Sequence, residues 1–155
     1  MIDHEININI KRGFGRAVNR KWLHAVIDAT LSAQNIERPV EIGLVVTDDA
    51  KMRKLNREYR GIDDTTDVLS FALSEDAGDT AFVVPADGVS RLGEIIVSYP
   101  RAEAQAVEHN RPLDRELAWL IVHGVLHLLG YDHQDDAAEA AMREKEEAIL
   151  KEIEA

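Results

Sequence analysis

The sequence predicts an α+β protein with a small mixed sheet of about four strands covered by about five helices. Two observations support this fold class. Short segments with the two-residue alternation of a half-buried strand occur among longer segments with the 3.6-residue spacing of an amphipathic helix. Their order along the chain is strand, helix, strand, helix, two or three strands and then three helices. This order favours one sheet with helices packed on it.

The first half of the chain contains two strands, each followed by a helix. HEININI alternates isoleucines with polar residues and predicts a strand with one buried side. RKWLHAVIDATLSAQN, which ends at residue 35, has apolar residues at helical spacing, and VEIGLVV predicts a second strand. Thr47 or Asp48 is suited to cap a helix that runs to about Arg60, where Gly61 supplies a C-terminal stop.

The second half of the chain begins with a short predicted strand, DVLSFAL. The segment after it is rich in Gly, Asp and Ser, which indicates a surface excursion with a small strand at residues 81–84. LGEIIVS has consecutive apolar residues and predicts a central strand. Pro100 and Asp114 are predicted to open two helices, of which the second contains ELAWLIVHGVLHLL. A last, charged helix is expected from Gln134 to Glu154.

Length and composition suit one globular domain. The chain has 155 residues, and we expect a single domain over residues 1–155. It contains no cysteine, so any metal ion must be held by nitrogen and oxygen ligands. The segment MIDHEININI lacks the features of a secretory signal, and no apolar run approaches the roughly 20 residues that span a bilayer. We therefore expect a cytoplasmic protein without a membrane partner.

The charge of the chain is unevenly distributed. The net charge is −11, but basic and acidic side chains are equal in number over residues 1–72, so the acidic excess lies in the remainder. KMRKLNREYR holds five cations and one acid. Such a run is most often a solvated helix face, but it also suits a polyanionic partner. The five cations are Lys51, Arg53, Lys54, Arg57 and Arg60.

Three of the six histidines lie in the segment HGVLHLLGYDH. His123 and His127 are four residues apart on a predicted helix, so they project from one face about 40° apart and from adjacent turns. Gly130 is suited to end this helix and turn the chain back, so that His133 approaches the same point. The spacing predicts a metal site. Zinc is the default ion for three imidazoles, although nickel, cobalt and copper bind the same nitrogens.

The fourth ligand of this predicted site decides its chemistry. Three neutral imidazoles and a water form a catalytic zinc site, whereas Asp132 or Asp135 as a fourth ligand would close it. The metzincin proteases share the ligand spacing in H-E-x-x-H-x-x-G-x-x-H. In this chain Gly124 stands where those enzymes carry the glutamate general base, which argues against a peptidase.

The segment HGVLHLLGYDH matches a family signature, H-G-x-L-H-L-x-G-Y-D-H. Two further segments match other conserved blocks of the same family. LNREYRGIDDTTDVLSF matches the block L-N-x-x-Y-R-x-x-D-x-x-T-D/N-V-L-S-F. LGEIIVS matches L-G-D-I-x-I-S, with Glu94 in place of the aspartate. Ala72 stands where a proline usually follows Ser-Phe. In these segments and in their order, the chain resembles the YbeY family of bacterial endoribonucleases and rRNA maturation factors.

The resemblance implies a zincin-like α+β fold and one zinc ion per chain, held by His123, His127 and His133. It also implies a single-strand-specific endoribonuclease that matures the 3′ end of small-subunit (16S) rRNA and takes part in ribosome quality control. The small ribosomal subunit and assembly proteins are then the expected partners. Arg60 matches the arginine of the family's Y-R pair and is implied to be needed for activity.

The chemistry of the residues is consistent with RNA cleavage. Zinc lowers the pKa of a bound water to about 7 and polarises a phosphoryl oxygen, as phosphodiester hydrolysis requires. Arg60 is the candidate catalytic residue, because a guanidinium clamps phosphate oxygens with two hydrogen bonds. The alternative is that it only stabilises the helix C-terminus. Lys51, Arg53, Lys54 and Arg57 are candidate substrate-binding residues that meet the RNA backbone.

Two other functions stay open at the level of sequence. One is a zinc peptidase-like hydrolase, which the ligand spacing suggests. The other is a non-catalytic ribosome assembly factor with a structural metal ion. The substrate distinguishes the peptidase from the ribonuclease, and the absence of any cleavage by purified protein would distinguish the assembly factor.

Overall fold

The computed structural model describes residues 3–15, 18–73, 89–131 and 135–154. Within these ranges the chain forms four strands and five helices, which confirms the predicted α+β class. The strands are β1 (Glu5–Ile10), β2 (Val40–Thr47), β3 (Val68–Ala72) and β4 (Ser90–Ser98). The helices are α1 (Arg20–Ala33), α2 (Asp49–Arg60), α3 (Tyr99–Glu108), α4 (Leu113–Leu128) and α5 (Asp136–Glu154).

The strands form one mixed sheet in the order β1-β2-β4-β3. β1 pairs with β2 and β2 pairs with β4 in parallel, whereas β3 runs antiparallel to β4. Parallel neighbours need a crossover connection, and α1 lies in the one between β1 and β2. β3 is an edge strand, with β4 as its strand neighbour in the described part of the chain.

The two faces of the sheet are covered by different helices. On one face the strands pack with α1, α4 and α5 in the main core, to which β4 contributes Ile95 and Val97. On the other face α2 packs over a smaller cluster, in which Met52 meets Leu69 and Ile96. Neighbouring residues of a strand point to opposite faces, so β3 and β4 lie between α2 and α4.

Local signals set the ends of α2 as predicted. The Asp48 carboxylate accepts a hydrogen bond from the Lys51 backbone N–H at 2.9 Å, which caps the first turn. Gly61 takes a left-handed φ of 72° and ends the helix. Because both signals act within a few residues, the sequence alone is enough to locate these boundaries.

Other predicted boundaries differ from the structure by small amounts. α3 begins one residue before Pro100, because the Ser98 hydroxyl caps its first turn. α4 begins one residue before Asp114 and has no side-chain cap. α1 ends before Asn35, which takes a left-handed φ of 56°. The strand predicted at residues 81–84 and the predicted start of the last helix lie outside the described residues.

A polar network fixes the connection between α2 and β3. The Asp49 carboxylate accepts hydrogen bonds from the hydroxyls of Thr65 at 3.0 Å and Ser98 at 2.7 Å. Asp67 precedes β3, and its carboxylate accepts a hydrogen bond from the Gln105 amide of α3 at 3.2 Å. The Asp67 carbonyl oxygen accepts the Ser98 backbone N–H at 2.9 Å. These bonds hold the start of the edge strand to the end of β4.

Candidate functional site

The first two histidines of the predicted metal site converge on one side of α4. The helix is anchored by its apolar residues, among them Leu120, Ile121 and Leu126, which are at most 1% exposed in the main core. His123 and His127 are half-buried beside them. Their Nε2 atoms lie 3.1 Å apart and their ring centroids 4.6 Å apart. The structure therefore brings the two imidazoles together as the four-residue spacing predicts.

The separation of the two imidazoles fits a shared metal ion. Zn–N distances of about 2.0–2.1 Å and tetrahedral angles put two ligand nitrogens about 3.3 Å apart. The observed Nε2–Nε2 distance of 3.1 Å is close to this value, and imidazole nitrogens suit zinc and its neighbours in the first transition row. The described residues contain no group of three or more potential ligands, and the predicted third ligand, His133, lies outside them together with Asp132.

The turn after α4 has the geometry that Gly130 predicts. Gly130 takes a φ of 102°, and its N–H donates to the His127 carbonyl oxygen at 3.0 Å. The Tyr131 N–H donates to the Leu126 carbonyl oxygen at 3.0 Å, which completes a Schellman motif. The Tyr131 hydroxyl donates to Oε1 of Gln34 at 2.8 Å. The helix end beside the second histidine is therefore tied to the end of α1.

A buried carboxylate lies behind the first histidine. Only 5% of the Glu146 side chain is exposed, and both carboxylate oxygens lie 3.4 Å from His123 Nδ1. The Trp119 ring centroid lies 6.0 Å from that of the same imidazole. Our sequence analysis did not identify Glu146. The sequence pattern that could have identified it is a glutamate on the same helical stripe of α5 as the buried Met142 and Ile149. A carboxylate at such a buried position needs a hydrogen-bond partner.

Gly124 packs directly against the sheet. A Cβ at this position would lie 2.8 Å from Cγ2 of Ile95 on β4. The Gly124 carbonyl oxygen accepts a hydrogen bond from the Ser70 hydroxyl of β3 at 3.4 Å. A larger side chain would displace the helix, since protein interiors are close-packed. The general base of the metzincin pattern therefore has no room at this position.

A second polar cluster lies near the start of α4. Glu116 is fully buried, and its carboxylate contacts His109 Nδ1 at 2.8 Å and Arg111 Nε at 3.4 Å. The Arg111 guanidinium also lies 5.9 Å from the centroid of the Trp119 ring. His109 has no partner at a recognisable sequence spacing, so this pairing was not foreseen. The cluster therefore links the turn between α3 and α4 to the first part of α4, the helix that carries His123 and His127 further along.

The five cations of α2 are all exposed, but they lie on two sides of the helix. Arg53, Arg57 and Arg60 follow one another at intervals of four and three residues and form one stripe, which we call the arginine stripe. Lys51 projects at least about 120° away from every member of this stripe. Lys54 is closer, at about 60° from Arg57 and about 100° from Arg53. A partner that contacts the arginine stripe therefore reaches Lys54 more readily than Lys51.

Asp63 pairs with part of the arginine stripe. Arg53 donates to the two oxygens of its carboxylate at 2.9 and 3.1 Å, and Arg57 lies 3.8 Å away. The hydrogen bond from Arg53 lowers the pKa of Asp63, and the same bond raises the pKa of Arg53. Arg60 is the next member of the stripe and immediately precedes Gly61.

The end of α2 and the middle of α4 contact the same stretch of the edge strand. Tyr59 packs edge-on against Phe71 of β3 with ring centroids 5.2 Å apart. The preceding residue of the strand, Ser70, contacts Gly124 on the other face. Arg60 follows Tyr59, and the histidine pair brackets Gly124. The helices that carry Arg60 and the histidine pair, α2 and α4, therefore contact opposite faces of one short segment of β3.

Comparison with known proteins identifies the family. A model of the family described as Endoribonuclease YbeY matches residues 6–154. The chain belongs to the YbeY family. Endoribonuclease YbeY from Roseiflexus sp. is 44% identical over 150 residues, which cover 96% of this chain and 92% of the relative. Its counterpart from Moorella thermoacetica is 48% identical over 128 residues, which cover 83% of this chain and 82% of the relative.

The fold agrees with a solved structure as well. The solution structure of a Thermotoga maritima protein matches with a TM-score of 0.62 and 29% sequence identity, and the match covers 96% of this chain and 88% of that one. The family resemblance inferred from three sequence segments is thus confirmed. None of the helices in the described ranges is both long and apolar enough to cross a membrane.

Proposed function

We propose that this protein is a metal-dependent endoribonuclease specific for single-stranded RNA, which matures the 3′ end of small-subunit rRNA. The observation that carries the proposal is the 3.1 Å convergence of the Nε2 atoms of His123 and His127 in a chain of the YbeY family. The proposed cofactor is one zinc ion per chain, with His133 as the third ligand. We also propose that residues 1–155 act as one domain in the cytoplasm, with ribosome assembly proteins as partners.

The metal ion, when bound, supplies an activated water and a positive charge beside a phosphoryl oxygen. The chain supplies two imidazole nitrogens directed at one point, and α4 holds them by burial of its apolar side. Hydrolysis adds water across one P–O ester bond, so that the phosphorus gains the water oxygen and the departing oxygen leaves with a proton. Half-burial of His123 and His127 strengthens the electrostatic interactions made there, because fewer waters screen them.

Arg60 is proposed to bind the phosphate whose charge increases during cleavage. Its guanidinium offers two parallel N–H donors, a geometry that matches phosphate oxygens. The position of Tyr59 against Phe71 supports this role, because it brings the end of α2 to the edge strand that α4, the helix of the histidine pair, contacts through Gly124. The residues proposed to contact the RNA backbone further from the cleaved bond are Lys51, Arg53, Lys54 and Arg57.

A peptidase is the less favoured function, for two geometric reasons. Gly124 lies against Ile95, so the position of the metzincin base cannot carry a glutamate without moving the helix. In the described ranges the Glu146 carboxylate lies beside His123, but it is on the Nδ1 side and is almost fully buried. It is therefore directed away from the Nε2 side, where a water and a scissile bond would be.

The proposal is tested by single-turnover cleavage of a 3′-extended small-subunit rRNA fragment with protein of known metal content. His127→Ala should lose about a hundredfold or more of the rate. His24→Ala should not, because that histidine is exposed on α1. All proteins are purified identically to control for contaminating nucleases.

Three results would contradict the proposal. Equal cleavage by wild type and His127→Ala would assign the activity to a contaminant. Hydrolysis of casein with intact RNA would favour the peptidase. Metal-loaded wild-type protein that cleaves neither substrate would favour a non-catalytic assembly factor.

A further inference from the structure

We infer that Glu146 is a positioning residue for the candidate metal centre and holds the His123 imidazole with its proton on Nδ1 and its Nε2 lone pair toward the metal position. The inference rests on the proposed metal site and extends it from the ligands to a residue of α5. Its basis is the position of both Glu146 carboxylate oxygens, 3.4 Å from His123 Nδ1.

The burial of Glu146 calls for a hydrogen-bond partner. Its side chain is 5% exposed, and transfer of a carboxylate out of water costs several kcal/mol unless donors compensate for the lost hydration. In the described part of the chain, the recorded partner of this carboxylate is the Nδ1 atom of His123. An exposed carboxylate of the same helix, Glu139, instead pairs with Arg143 at 3.3 Å.

The geometry selects one tautomer of His123. A ring nitrogen that faces two carboxylate oxygens must carry the proton, because a lone pair there would face the oxygen lone pairs. The lone pair of the neutral ring is then on Nε2, which faces Nε2 of His127 at 3.1 Å. A cation between the two nitrogens is attracted by both of them, so Glu146 prepares His123 as a ligand before any metal binds.

Glu146 is held rigidly enough to have this effect. The stripe of α5 that carries it also contains Met142, Ile149 and Leu150, which are all buried. Trp119 flanks the same imidazole from α4. The 3.4 Å separation is longer than the usual N–H···O distance of about 2.9 Å. We expect it to shorten on metal binding, because a cation on Nε2 makes the Nδ1–H a stronger donor.

The test compares Glu146→Ala and Glu146→Gln with Glu139→Ala, a matched change at an exposed glutamate of the same helix. Zinc affinity is measured by competition with a chelator. Glu146→Ala should bind zinc about 10- to 100-fold more weakly, the loss typical for removal of a group that orients a ligand. Glu146→Gln keeps an acceptor oxygen and should lose less, and Glu139→Ala should match wild type.

A second readout distinguishes positioning from a merely structural role. Long-range ¹H–¹⁵N NMR spectra of the metal-free proteins report which nitrogen of His123 carries the proton. Wild type and Glu146→Gln should show Nδ1–H, and Glu146→Ala should show a mixture or the other tautomer. Thermal melting of the metal-free variants checks that they fold. If Glu146→Ala does not fold, the comparison of Glu146→Gln with wild type provides the test.

Unchanged zinc affinity and an unchanged His123 tautomer in a folded Glu146→Ala variant would overturn the inference. Failure of the proposed metal site has a different signature, because wild-type protein would then bind no zinc, and failure of the proposed ribonuclease activity would leave zinc binding intact while RNA stays uncut. In that case the tautomer of the metal-free protein still decides whether Glu146 holds His123.

Discussion

His123 and His127 face each other through their Nε2 atoms at 3.1 Å, on adjacent turns of a helix whose opposite side is buried. At this distance both nitrogens can bind one ion, and the buried side of α4 prevents the helix from rotating away. The pair is therefore formed before an ion arrives, which reduces the ordering that metal binding requires.

The first prediction concerns metal content. Purified protein should contain about one zinc or similar ion per chain, and His123→Ala or His127→Ala should lose it. Zinc at about 100 times its dissociation constant should stabilise wild type by about 2.7 kcal/mol, and so raise its melting temperature by about 5–10 °C. Elemental analysis and melting curves with and without a chelator measure both effects. His24→Ala is the control, and full occupancy in either of the first two variants would exclude that histidine as a ligand.

The second prediction concerns the packing of α4 on β4. Gly124→Ala should destabilise the protein by about 1–2 kcal/mol, since overpacking against Ile95 exceeds the gain of about 1 kcal/mol in helix propensity. Denaturant unfolding measures the change. Gly15→Ala is the control, because nothing lies within 4 Å of a Cβ built there.

A double-mutant cycle checks the cause of that loss. Ile95→Ala should cost about 2–5 kcal/mol alone, and its combination with Gly124→Ala should cost less than the sum of the two changes. Strict additivity would mean that Ile95 is not what excludes a side chain at Gly124.

The third prediction separates a phosphate-binding role of Arg60 from a helix-capping role. Arg60→Lys keeps the charge near the last carbonyls of α2 but loses the paired N–H donors. If Arg60 binds a phosphate in the transition state, the rate at saturating RNA should fall about ten- to a hundredfold, or ~1.4 to 2.7 kcal/mol, with stability near wild type. Lys54→Ala should weaken binding and lower its salt dependence but leave that rate unchanged. Wild-type activity of Arg60→Lys would remove Arg60 from the catalytic residues.

The fourth prediction concerns the pairing of the arginine stripe with Asp63. Because Asp63 competes with RNA phosphates for Arg53 and Arg57, Asp63→Asn should strengthen RNA binding about two- to fivefold at low salt. Added salt should reduce the difference, since it screens exposed charges. Titration with a fluorescent RNA measures the affinity. Glu58→Gln makes the same charge change on another side of α2. An equal gain in RNA affinity for this variant would mean that the change in net charge, and not the release of the arginine stripe, causes the effect.

The fifth prediction concerns the N-terminal cap of α2. Asp48→Ala should destabilise the protein by about 1 kcal/mol at neutral pH, whereas Asp48→Asn should lose less because it also caps well. The hydrogen bond from the Lys51 N–H, followed by the contact with Lys11, lowers the pKa of Asp48 in the folded protein. The extra stability of wild type over Asp48→Asn should therefore be complete above the unfolded value of about 3.9 and disappear as the pH falls through the lower folded pKa. Unfolding curves at pH 7 and at decreasing acid pH measure the difference in free energy of unfolding between wild type and Asp48→Asn. A difference that does not change with pH would contradict the prediction.

The sequence by itself determined the features that depend on a few neighbouring residues. The cap at Asp48, the stop at Gly61, the turn at Gly130 and the convergence of His123 with His127 all follow from helix geometry and local hydrogen bonds. The family followed from sequence as well, because three motifs occur in one order. Each of the caps, turns and side-chain pairs named above involves at most one or two turns of chain, so distant residues have little influence on it.

Only the tertiary structure decided which distant residues meet. Glu146 lies 23 residues from His123 in the chain, and no spacing rule links residues of two different helices. The close approach of Gly124 to Ile95 depends on how α4 packs on β4. Ser70 meets α4 and Phe71 meets α2 because β3 adds antiparallel at the sheet edge between these helices. Hydrophobic burial, which drives such packing, has no direction along the chain and selects partners by shape and position in the folded molecule.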